Sequence, residues 1–237
     1  GADKMGQLPH TEEEHNPFLG VRSIRLSLRN LDLFRVQLRA IARASALGNV
    51  KVMFPLIATL EEMRQAKMVL ADTLEDVRDD GIACADSIPV GMMVEVPSAV
   101  MMIDKLVREV DFISIGTNDL IQYALAVDRS NKDIASLYRA SDPAVLRLID
   151  VTLRAAREAD VTATLCGEMS SSPAYTLLLL GLGLRSMSVA PSALPEIKQI
   201  CRQVSLEECE AIAQRAMEMD SAREIDAYLQ EQLRKVA

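Results

Sequence analysis

The sequence predicts an α/β fold on a parallel sheet, of the (β/α)8 TIM-type barrel kind. Three observations predict it. Short apolar runs alternate with longer amphipathic stretches along the 237 residues. Each apolar run is nearly continuous, as in strands covered on both faces by helices. No GxGxxG or Walker sequence opens a strand-to-helix turn, so a dinucleotide-binding arrangement is disfavoured and a barrel is the remaining common choice.

The elements follow in order. Residues 1–20 lack periodicity, hold both histidines, His10 and His15, and read as a loop or truncated edge. Residues 21–237 read as one barrel domain with C-terminal helices. "VKVMFPLI" (50–57) is a first strand. The helix after it carries Leu60, Met63, Ala66, Met68, Leu70, Leu74 and Val77 as an approximate stripe, with Thr59 and Glu62 as a capping box and Gly81 as a stop. "PVGMMVEV" (89–96) is the next strand, and Pro97 suits the first turn of the helix beyond it. "VDFISIG" (110–116) follows, then a helix near 143–159, then "VTATLCG" (161–167). "SPAYTLLLLGLG" reads as a buried helix and "LRSMSVA" (184–190) as a last strand. From Ala193 the pattern is helical to the end.

Composition narrows the function. A formal net charge of -8 repels phosphate backbones, so general nucleic-acid binding is not expected, although a local pocket for a small anion is compatible with it. Four cysteines, Cys84, Cys166, Cys201 and Cys209, are scattered without a CxxC pair, as in a cytoplasmic protein with reduced thiols. The N-terminal stretch is polar, with no signal peptide, and the most apolar run, residues 174–184, is too short to span a bilayer. No membrane partner is expected.

The polar residues then gather at one rim. Glu95 sits near the C-terminal end of its strand, Asn118 and Asp119 just past theirs, and Cys166, Gly167 and Glu168 at another. Carboxylates brought together repel unless a cation lies between them, and an all-oxygen pair suits Mg2+. The same residues read equally as a helix cap (Asp119) and a rim charge (Glu95). A glutamate inside an apolar run is harder to explain in that way. Arg129 reads as a bidentate anion contact or as an ion-pair partner of Asp128, and Arg22 has the same two readings. Cys166 reads as core packing or, beside Gly-Glu in an irregular turn, as a proton donor or nucleophile.

The stretches "GADKM", "EEEHNPFLGVRSIR", "VKVMFPLI", "GMMVEVPSA", "DFISIGTNDLIQYALAVDR", "TLCGEM" and "LLLLGLGLRSMSVAPSALPEIK" run through nearly the whole chain. In that order they resemble the phosphoenolpyruvate-binding domain of the enzyme I family of the bacterial phosphotransferase system, the phosphoenolpyruvate-protein phosphotransferases. That family is related to pyruvate phosphate dikinase and phosphoenolpyruvate synthase. The resemblance implies that Glu95 and Asp119 hold Mg2+. It implies that Asn118 and Arg129 hold the phosphate and carboxylate of phosphoenolpyruvate, that Arg22 supports the phosphoryl group, and that Cys166 protonates the enolate as pyruvate forms. It implies transfer to a histidine on a separate phosphohistidine domain, then to a small phosphocarrier protein, in a cytoplasmic homodimer that serves sugar transport or is its nitrogen-related paralogue. Two further phosphate-binding arginines of the family lie upstream of the segment that reads "GADK" here. The expectation is therefore a fragment with an incomplete barrel of about six strands, inactive alone. Neither histidine stands in the family's acceptor context. Two other readings remain: a binding and dimerisation module without activity, and another Mg2+-enolate enzyme such as a dikinase or a lyase.

Overall fold

The computed structural model describes residues 15–236. Residues 1–14, with His10 and most of the loop expected over 1–20, lie outside the described residues; His15 is exposed in a bend. Four strands form the sheet: β1 (Val52–Phe54), β2 (Val90–Val94), β3 (Phe112–Gly116) and β4 (Thr162–Cys166). Their spatial order is their sequence order, β1-β2-β3-β4, and every pairing is parallel. A doubly wound sheet reverses its order at a switch point. An unreversed order with right-handed crossovers keeps the connecting helices on one side, as in a barrel wall. Among the described residues the wall does not close, so the chain forms an open, incomplete barrel.

Eleven helices are described: α1 (Ser23–Arg29), α2 (Leu31–Ser45), α3 (Leu60–Asp79), α4 (Pro97–Met101), α5 (Ile103–Leu106), α6 (Thr117–Leu125), α7 (Pro143–Glu158), α8 (Pro173–Gly181), α9 (Leu194–Gln203), α10 (Leu206–Met217) and α11 (Ala222–Val236). The capping box of α3 forms as expected: the Glu62 amide donates to Thr59 Oγ1 at 3.1 Å and the Thr59 amide to Glu62 Oε2 at 3.1 Å. Beyond its end, the Gly81 amide donates to the Arg78 carbonyl, and that of Ile82 to Val77. The expected stripe buries Met63, Ala66, Leu70, Leu74 and Val77, whereas Met68 points to solvent. Pro97 opens α4 at its first turn, and α8 is wrapped so fully that Leu177, Leu178 and Leu179 are inaccessible. No described helix is long and apolar enough to cross a membrane.

Two expectations need correction. The last strand, over 184–190, shrinks to one parallel bridge between Leu165 and Met187. Backbone bonds stop at that bridge, the Leu165 amide donating to the Ser186 carbonyl and the Ser188 amide to the Leu165 carbonyl; beyond it side chains take over, Ser170 Oγ donating to the Ser188 carbonyl and the Ala190 amide donating to Ser171 Oγ. The sheet is also not covered equally on its two faces. On one face Met92, Val94, Ile113, Ile115 and Leu165 are inaccessible beneath the helices. The other face carries Met53, Met93, Ser114, Thr164 and Cys166, and Met53 is 36% exposed. Nearly continuous apolar runs concealed this asymmetry, because methionine, serine and threonine sit at the alternate positions.

Candidate functional site

Glu95 directly follows β2, before the proline that opens α4. Its carboxylate is drawn inward, only 5% of the residue is exposed, and Oε1 accepts the Leu56 amide at 2.6 Å. That amide is presented by a residue at φ 54°, a conformation costly for leucine. Gly116, at the end of β3, makes the space: a Cβ there would stand 2.8 Å from Glu95 Oε2 and 2.9 Å from Met93 Sδ.

Asp119 lies in the first turn of α6, where the N-cap position belongs to Gly116. The capping reading therefore fails. Asp119 Oδ2 instead accepts from Arg22 Nη2 at 3.4 Å, and Oδ1 stands 3.9 Å from Arg129 Nη2. Oδ1 is buried and accepts no hydrogen bond among the described residues. Burial, and then the charge of Asp119, push Glu95 up to about 7 from its ordinary 4.5, against the pull of the Leu56 amide and Arg22.

Both arginines face Asp119. Arg22 is 5% exposed, donates through Nη1 to Tyr123 Oη at 3.0 Å, and lies 5.3 Å from the Phe18 ring centroid. Tyr123 Oη in turn donates to the Phe18 carbonyl. Arg129 does not settle on Asp128, whose Oδ1 accepts both the amide and the hydroxyl of Ser130 at 2.8 and 2.6 Å. Its own amide donates to Gln122 Oε1 at 3.1 Å.

Cys166 ends β4 with its thiol between β3 groups: Ser114 Oγ donates to Sγ at 3.6 Å, and Sγ donates to the Ile115 carbonyl at 3.6 Å. Asn118 turns toward the same strand end. Its Oδ1 accepts the Glu168 amide at 3.1 Å, and its carbonyl accepts from Tyr138 Oη at 2.9 Å. Every residue singled out from the sequence thus lies at the C-terminal ends of β2, β3 and β4 or on segments that return to them. Thr117, Gln122, Tyr123 and Tyr138 were not singled out. For two of them a signal existed: Gln122 and Tyr123 share a helical face with Asn118 and Asp119 at three- and four-residue spacing.

The donor set fits Mg2+. No group of three or more His, Cys, Asp and Glu residues is gathered for a metal among the described residues, which disfavours an all-protein zinc cage. Mg2+ takes one or two carboxylates and completes its shell with water and ligand oxygens. Glu95 and Asp119 are two carboxylates of the kind such a site would need, and the buried Asp119 Oδ1 accepts no hydrogen bond among the described residues. The two guanidiniums beside it suit an anion carried with the cation.

A family model described as the PEP-binding domain of PEP-utilising enzymes matches residues 1–206. The phosphoenolpyruvate-protein phosphotransferase of Bacillus sp. (strain S) is 45% identical over 231 residues, which are 97% of this chain and 40% of that protein. The protein of the same name from Bacillus subtilis is 44% identical over 234 residues, 98% of this chain and 40% of the relative. That of Haemophilus influenzae is 42% identical over 231 residues, with the same coverage. The chain thus spans about 40% of the length of these relatives. Among solved structures, a citrate lyase from Burkholderia xenovorans superposes with a TM-score of 0.52 at 19% identity, over 85% of this chain and 67% of that one, which speaks to the fold alone. With a family match over most of its length and relatives of this similarity, the chain belongs to the PEP-utilising enzymes, by their PEP-binding domain.

Proposed function

We propose that this domain binds phosphoenolpyruvate together with Mg2+ at the rim formed by Glu95, Asn118, Asp119, Arg129, Arg22 and Cys166. We propose further that it serves a phosphotransferase that passes the phosphoryl group to a histidine on a separate domain and then to a phosphocarrier protein. The observation that supports it best is Asp119, a carboxylate with one buried oxygen, set between two arginines and against the buried carboxylate of Glu95.

Glu95 and Asp119 would hold the cation, which when bound supplies electrostatic stabilisation to a phosphoryl group and to an enolate oxygen. Arg129 and Arg22 orient the phosphate and carboxylate and offset charge on the equatorial oxygens in transfer. Asn118 lines the same rim; its side-chain oxygen is engaged by Glu168, which leaves its amide groups for the anion. After the phosphorus–oxygen bond breaks, the electron pair stays on the three-carbon unit as an enolate. The Cys166 S–H bond then breaks, its proton forms a C–H bond at the methylene carbon, and pyruvate and a thiolate result. In reverse the thiolate removes that proton. The parent assembly is proposed to be a cytoplasmic homodimer in sugar transport, with residues 21–237 as the barrel domain.

Isothermal titration with phosphoenolpyruvate and Mg2+ tests the site. Asp119→Ala is expected to lose at least ten-fold in affinity, by removal of a metal ligand and the partner of both arginines (about 1.4 kcal/mol). Equal binding by the two proteins would remove the metal role.

A further inference from the structure

The turn that carries Cys166 is gripped from the next strand by a residue outside the proposed binding set. Thr117, the first residue of α6, is wholly buried, and its Oγ1 donates to the Cys166 carbonyl at 2.9 Å. One residue on, Asn118 Oδ1 accepts the Glu168 amide. The two side chains bracket Gly167, which takes φ +110°; a Cβ there would lie 2.2 Å from Thr117 Oγ1 and 2.8 Å from Asn118 Oδ1. Only glycine lets the turn approach the junction this closely. The pairing of Gly116 with Cys166 brings the two strand ends level.

From this geometry we infer that Thr117 is a positioning residue for the Cys166 thiol. The inference rests on the proton-donor role proposed above for Cys166, but the clamp itself is a property of the ligand-free protein. Two contacts at 3.6 Å hold Sγ itself, and both are weak because sulfur is a poor hydrogen-bonding atom. Backbone restraint therefore decides where the thiol points. Thr117 supplies it through the carbonyl of the cysteine, and the same helix turn carries Asp119. The proton donor and the cation-binding carboxylate are thus fixed in one frame, and a shift of α6 would move both.

The test is the rate at which Cys166 is alkylated by iodoacetamide, read by peptide mass mapping at one pH without ligand. Thr117→Val keeps the shape and removes the hydroxyl; it is expected to raise the rate about ten-fold, the scale of one lost hydrogen bond. Thr117→Ser is expected to restore the wild-type rate. Thr176→Val removes another fully buried hydroxyl-to-carbonyl bond, within α8, and controls for general loosening. An unchanged rate in Thr117→Val, or an equal rise in Thr176→Val, overturns the inference. Should Thr117→Val not fold, Gly167→Ala is expected to raise the rate likewise, and no rise there overturns it too. Protection of wild-type Cys166 by phosphoenolpyruvate with Mg2+ is a separate arm: its absence counts against the proposed function and leaves the clamp result standing.

Discussion

Glu95→Gln should stabilise this protein when no divalent cation is present, and the gain should depend on pH. Burial and the Asp119 carboxylate raise Glu95 from 4.5 to about 7 in the folded state. A raised carboxylate binds its proton more tightly folded than unfolded. Its contribution is fully present below pH 4.5, and stability is lost as pH rises through about 7. The gap, at about 1.4 kcal/mol per pH unit, is about 3 kcal/mol. Glu95 is almost inaccessible, so solvent screening reduces this little. Glutamine resembles the protonated acid and keeps an oxygen for the Leu56 amide. Urea unfolding in EDTA should therefore find the two proteins alike near pH 4 and the variant about 3 kcal/mol more stable at pH 8. Added Mg2+ should raise wild-type stability at pH 8 more than that of the variant, since binding to the native state stabilises it by mass action. A difference between the proteins that is the same at pH 4 and pH 8 would refute the claim that Glu95 is forced into a buried, carboxylate-facing position.

Gly116→Ala would drive a methyl into Glu95 Oε2 and Met93 Sδ; a loss of about 1–3 kcal/mol in unfolding free energy is expected, together with loss of any Mg2+-dependent phosphoenolpyruvate binding by titration calorimetry. Tyr123→Phe removes an acceptor from Arg22 and a donor to the Phe18 carbonyl; urea unfolding should show a loss of about 1–2 kcal/mol, and calorimetry a weaker affinity for phosphoenolpyruvate. Met92→Ala, at an inaccessible position of β2, should cost about 2–5 kcal/mol by the same unfolding assay, with no change in m beyond error.

Local sequence rules fixed most of the elements before any long-range contact was considered. Thr59 with Glu62 begins α3, Pro97, Pro143 and Pro173 open helices, and apolar runs mark β1 to β4. Each is decided by the chain within a few residues of itself. α1 and α2 went unassigned because α2 leaves Leu31, Leu33 and Val36 exposed, which blurs the stripe formed by Phe34, Leu38 and Ala42. The last strand was misread for another reason. Its pairing with β4 stops after one bridge, and the Ser188 carbonyl and the Ala190 amide bond to the Ser170 and Ser171 hydroxyls, eighteen and nineteen residues earlier in the chain.

The site divides in the same way. Sequence alone delivered the residue types and their places at strand ends, because the residue after a parallel strand is at a predictable rim. It left open whether Asp119 capped a helix and whether Arg129 paired with Asp128. Those choices depend on what stands opposite, and here the tertiary structure sets Arg22, 97 positions away, against Asp119 and gives Asp128 to Ser130. Strand order, too, follows from which apolar faces bury one another across the sheet. Short-range propensity determined the parts of this protein, and packing between distant segments decided which charges face each other, because a Coulomb or hydrogen-bond partner is chosen by distance in space rather than along the chain.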